Sequence, residues 1–162
     1  MDVTIMDDIT VLGVGNTIMQ DDGFGVHVIE KMQEMKWPDN IKFLDGGTLG
    51  MGLLPYLEGT TRLLIVDAIS ADGKAGDFFS FAGEEVNAYF SHKISVHDLG
   101  LNDLLAALSI TNKPIKETII MGVKPAVVDL GVSMTKNIEA KIDETVEKII
   151  IQLKKWHVQP II

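Results

Sequence analysis

Three apolar runs in this chain stop at short acidic or glycine-rich segments. Ile9 to Val14 leads through Gly13-Val14-Gly15-Asn16 to Asp21-Asp22; Ile41 to Leu44 stops at Asp45; Leu63-Leu64-Ile65-Val66 stops at Asp67. Carboxylates gathered at one edge of a sheet concentrate negative charge, and such oxygen donors suit a divalent cation. A lone Asp after a strand more often closes a turn or caps a helix. Several at the same edge shift the balance toward a cation site. Of the four histidines, His27 falls inside a helical pattern and His157 near the C-terminus, while His92 and His97 lie in Ser91-His92-Lys93-Ile94-Ser95-Val96-His97-Asp98. Two acids and one loop imidazole can form an open site for a borderline metal, with positions left for water or substrate.

Other chemistries fit less well. The Gly13-Val14-Gly15 turn fails as a dinucleotide fingerprint, because Ile18 stands where the third glycine belongs. Asp21 and Asp22 would also repel a pyrophosphate. His92 and His97 are five apart and do not stack on one helix face, and no His-Glu-x-x-His zinc motif is present. Gly131-Val132-Ser133-Met134-Thr135 lacks the final glycine of a serine-hydrolase elbow. Cysteine is absent, which excludes disulfides, thiolate metal sites and a cysteine nucleophile.

The elements that must position these residues follow from hydrophobic spacing. Strands are predicted at Ile9 to Val14, Ile41 to Leu44, Leu63 to Val66 and Thr118 to Val123, with an edge strand at Phe78 to Phe81. Val26, Val28, Ile29, Met32 and Met35 share a helix face that ends before Pro38. Asp21 and Asp22 suit that helix's N-terminus. Helices are also predicted at Gly50 to Leu57, Leu99 to Ile110 and Thr135 to Trp156. Alternating strands and helices predict an α/β fold: a three-layer sandwich with a twisted, mostly parallel sheet of about five strands and helices on both faces. One domain over residues 1–162 is expected for this length. The net charge of −9 argues against nucleic acid as a partner. An acidic N-terminus and the absence of a long apolar stretch predict no membrane span and a cytoplasmic protein.

In order along the chain, Gly13-Val14-Gly15-Asn16, Asp21-Asp22-Gly23-Phe24-Gly25-Val26, Asp45-Gly46-Gly47-Thr48, Val66-Asp67-Ala68, Ser95-Val96-His97-Asp98-Leu99-Gly100-Leu101 and Gly122-Val123-Lys124-Pro125 closely resemble the hydrogenase maturation proteases. The resemblance runs from about Val11 to the last helix. It implies an endopeptidase that trims the C-terminal extension from the precursor of a nickel–iron hydrogenase large subunit. It also implies that Asp22, Asp67 and His97 bind nickel, which the substrate carries. Val96 departs from the Pro or Thr of relatives, a matter of loop shape. Hydrolysis needs an activated water, supplied either by the metal or by a carboxylate base. Asp45 is the candidate base, with turn formation in Asp-Gly-Gly as its other reading. A small-molecule or nucleotide-binding α/β module without hydrolytic activity is the alternative.

Overall fold

A computed structural model describes residues 7–92, 101–111 and 114–162. Strands β1 (Ile9–Val14), β2 (Ile41–Gly47), β3 (Arg62–Ala68), β4 (Phe78–Ala82) and β5 (Glu117–Val123) form one sheet in the order β2-β1-β3-β5-β4. Neighbours from β2 to β5 are parallel; β4 runs antiparallel to β5 at the edge. Helices α1 (Phe24–Gln33), α5 (Lys136–Glu139) and α6 (Lys141–Lys155) cover one face, and α2 (Leu54–Leu57), α3 (Glu84–His92) and α4 (Leu101–Ser109) cover the other.

Side-chain alternation explains the two cores. Ile9 and Val11 with Leu64 and Val66 meet Phe24, Ile29 and Met32 of α1 and Ile149 and Leu153 of α6. Leu12 with Leu63 and Ile65 faces Leu53, Leu57, Val86, Phe90, Leu101 and Leu104. β1 and β3 are buried almost throughout, which is why they read as unbroken apolar runs. This is the three-layer α/β sandwich expected from the sequence. No helix among the described residues is long and apolar enough to cross a membrane.

Three elements differ from expectation. Helix α3 is an addition to the sequence reading: over residues 84–91 Val86 and Phe90 are the buried ones, too sparse a pattern to read as an amphipathic face. Strand β2 continues through Asp45 to Gly47, with an irregularity in its pairing opposite Gly13 and Val14. The closing helix is divided at Ala140 into α5 and α6.

At the amino ends of β3 and β5, the opposite edge from the acids, charges are paired. Arg62 donates to Asp7 at 2.8 Å and to Glu117 at 2.8 Å, and Lys116 reaches Asp7 at 3.0 Å. Glu117 also accepts from the Trp156 indole, and the Arg62 guanidinium lies 5.7 Å from that ring's centroid. These donors, Arg62 first, hold the Asp7 carboxyl well below its ordinary range, at about 2.

Candidate active site

The sheet order reverses direction beside β1: β2 lies on one side of it and β3 on the other. The crevice at such a reversal, beyond the carboxyl ends of the strands, is where open α/β sheets bind ligands. The β1 loop delivers Asp22 to this crevice and β3 ends there with Asp67. Asp22 sits in a short 3-10 turn, Gln20–Gly23, directly before α1. It is 8% exposed and its Oδ2 accepts the Asn16 amide at 3.0 Å. Asp67 is fully buried, and its Oδ1 accepts the Ala68 amide at 2.8 Å. A carboxylate has about four acceptor sites, more than one amide fills. By alternation with Leu63 and Ile65, Asp67 belongs to the face that α4 covers.

Two glycines make the approach of these segments possible. A Cβ on Gly25 would lie 2.1 Å from the Val66 carbonyl oxygen and 2.7 Å from that of Val14. The first turn of α1 therefore rests directly on the backbone that precedes Asp67, and the turn bearing Asp22 is carried with it. On the far side of β3, a Cβ on Gly122 would lie 1.7 Å from the Asp67 carbonyl oxygen. Glycine at both positions lets α1, β3 and β5 close around the buried acid.

Asp21 has a role that spacing did not disclose. The sequence reading made it a helix N-terminal acid, yet no side-chain cap is formed in this turn. Instead Asp21 is fully buried and holds a distant loop. Its Oδ2 accepts the amides of Ala126 and Val127, each at 2.9 Å, and the Thr135 hydroxyl at 2.9 Å; its Oδ1 accepts the Thr135 amide at 2.8 Å. Its own amide donates to the Val127 carbonyl at 3.1 Å. One carboxylate thus fastens both ends of the loop between β5 and α5 to the turn that bears Asp22.

Asp45 lies in β2 opposite Gly13 and is exposed. Its Oδ1 accepts the Gly47 amide at 2.9 Å, the turn-forming contact expected of Asp-Gly-Gly. The carboxylate stands in solvent at the same sheet edge, within reach of water. His97, the third expected ligand, lies outside the described residues, four positions before α4 begins. Among the described residues no three His, Asp or Glu side chains form a metal-binding group. Of the three expected ligands, Asp22 and Asp67 are described and both are buried at this edge.

The comparisons with known proteins agree with this fold. A family model described as HycI, hydrogenase maturation protease, matches residues 26–152. The hydrogenase 2 maturation protease of Escherichia coli K12 is 37% identical over 155 residues, covering 94% of both chains. The hydrogenase expression/formation protein HupD of Rhodobacter capsulatus is 30% identical over 93% of this chain and 73% of its own length. The solved structure of the hydrogenase maturating endopeptidase HybD from E. coli superimposes with a TM-score of 0.90 at 37% identity, covering 94% of this chain and 96% of that one. The NiFe hydrogenase maturation protease HybD from Thermococcus kodakarensis gives 0.74 at 30% identity, over 90% and 97%. The chain therefore belongs to the hydrogenase maturation proteases and is a peptidase.

Proposed function

We propose that this peptidase removes the C-terminal extension from the large-subunit precursor of a nickel–iron hydrogenase after nickel has been inserted, and that it acts in the cytoplasm. Asp22, Asp67 and His97 take hold of the nickel that the precursor carries. Two carboxylates balance a divalent charge, and an imidazole adds the nitrogen donor that a borderline metal prefers. Cleavage then depends on the metal, because the nickel aligns the scissile bond with the enzyme. The attacking water is activated in one of two ways. The precursor's nickel polarises the carbonyl or the water, or Asp45 removes the water's proton, which makes the enzyme an aspartyl peptidase.

The observation that supports this reading best is the seating of the α1 first turn on the carboxyl end of β3, with Asp22 and Asp67 both buried at the reversal of strand order. Buried carboxylates are costly unless they are hydrogen-bonded, paired or ligate a cation. The test is incubation of the purified enzyme with the precursor in nickel-loaded and nickel-free forms, followed by intact-mass measurement. Loss of a C-terminal peptide from the loaded form alone is expected. Equal cleavage of both forms would refute recognition through nickel, and cleavage of neither would refute the assigned substrate.

A further inference from the structure

The loops around this sheet edge also expose aliphatic side chains: Ile18 is 52% exposed, Val128 44%, Leu130 80% and Val132 75%. They come from two segments that are joined. Met19 and Gly131 form an isolated parallel bridge, in which the Gly131 amide donates to the Ile18 carbonyl at 2.8 Å and the Gln20 amide to the Gly131 carbonyl at 2.9 Å. That register sets Ile18 beside Leu130 and Gln20 beside Val132. The Asp21 clasp fixes both ends of the loop that carries Val128, Leu130 and Val132. The result is a preordered apolar strip three residues from Asp21 on one side and tied to it on the other. Exposed apolar residues on soluble proteins are normally scattered, and grouped ones mark an interface.

Beyond Val132 the surface falls into a cleft of about 490 Å³ against α1 and α6. Its walls carry Glu30, Glu34, Glu139 and Asp143, with Lys31 the one Lys or Arg in the lining. The cleft is thus acidic, on a chain whose net charge is already −9.

We propose that the strip and the acidic cleft dock the folded body of the precursor, apart from its C-terminal extension, and that the docked surface presents apolar side chains to the strip and Lys or Arg to the cleft. This inference rests on the function proposed above. A precursor whose nickel sits at Asp22 must cover the adjoining loop, so the docking surface continues the site. Charge complementarity selects a basic partner surface, whereas a second copy of this chain would bring like charge to the cleft. A rigid strip also reduces the ordering cost of association.

The test is steady-state processing of nickel-loaded precursor by the wild type, by Leu130→Asp with Val132→Asp, and by Glu30→Lys with Glu34→Lys. Each variant is expected to raise KM about tenfold or more and to leave kcat within about twofold. Raising salt from about 50 to about 300 mM is expected to raise the wild-type KM several-fold and to have less effect on the charge-reversed variant. Should an aspartate variant fail to fold, Leu130→Ser and the wild-type salt series carry the same test. Unchanged KM in the strip variants, together with a salt-independent wild-type KM, would overturn the proposal while leaving the assigned activity intact. A wild-type dimer that the strip variant dissolves at unchanged KM would also overturn it, assigning the patch to a second copy. Failure of the wild type to process the loaded precursor would instead remove the substrate itself, and this docking role with it.

Discussion

Exchanging Asp21 for Asn changes almost no volume, and at a merely polar position it would cost little. The clasp makes a different demand. Three amides and one hydroxyl converge on the two oxygens of Asp21, at 2.8 to 2.9 Å. Asparagine keeps one acceptor oxygen and turns an NH2 group toward donors. With its oxygen in place of Oδ2, which takes three of the four contacts, Asn loses one contact, and the Thr135 amide then faces a donor. An unsatisfied buried donor costs about 1–3 kcal/mol. Thr135 is partly exposed, which lets water reach the orphaned amide and favours the lower end of that range. Asp21→Asn is therefore expected to lose about 1–2 kcal/mol, and Asp21→Ala, which loses all four contacts, more. At about 2–4 °C per kcal/mol for a chain of this size, the melting temperature of Asp21→Asn falls by roughly 5 °C. Urea unfolding followed by far-UV circular dichroism gives the free energy, with Asp22→Asn as the internal comparison. At Asp22 an amide oxygen can still accept from Asn16, so a smaller loss is expected. If Asp21→Asn stays within about 0.5 kcal/mol of the wild type, the carboxylate is not what holds the loop.

Other outcomes follow from the same geometry. His97→Ala and Asp67→Asn are each expected to abolish processing of nickel-loaded precursor, read by intact mass; processing by either at the wild-type rate would remove that residue from the ligand set. Gly25→Ala is expected to destabilise the fold by several kcal/mol, since the new methyl meets two backbone carbonyls that cannot both retreat; a near-native unfolding midpoint would contradict the close seating of α1. Asp7 is held at about 2 against an ordinary 3.8. Because its folded value is depressed, its contribution is complete above pH 3.8 and disappears as pH falls through about 2. The shift corresponds to about 2 kcal/mol before solvent screening at this partly exposed rim reduces it. The stability gap between wild type and Asp7→Asn, measured in urea at pH 6 and again near pH 2, should therefore narrow in acid; a constant gap would show that Asp7 acts through something other than its charge.

The carboxyl-edge acids were legible because they end the buried apolar runs of β1 and β3, and a fully buried parallel strand leaves a continuous apolar signature. Their ordered setting among glycines carried the family resemblance, and the comparisons agree with it. The distinction between Asp21 and Asp22 was not legible. They are adjacent and chemically identical, and only contacts reaching residues 126 to 135 single out Asp21 as a loop clasp. Helix α3 escaped for a related reason: its buried positions are few because it packs at the periphery, beside β4 and α4. Asp45 was visible as both turn-former and base. The Gly47 contact accounts for the first role, and the second is the proposal made above.

The clasp also orders events during synthesis. A ribosome emits this chain from its N-terminus, so Asp22 and Asp67 leave the exit tunnel well before the loop from Ala126 to Thr135. Until that late segment arrives, Asp21 is a buried-type carboxylate without its donors, and the turn beside it has no fixed seat. β5, which supplies the close backbone neighbour of Asp67, is late as well. A nascent or truncated chain can therefore hold two of the acids and still lack a working edge. The edge that Asp22 and Asp67 share is therefore complete only once the final third of the polypeptide has been made.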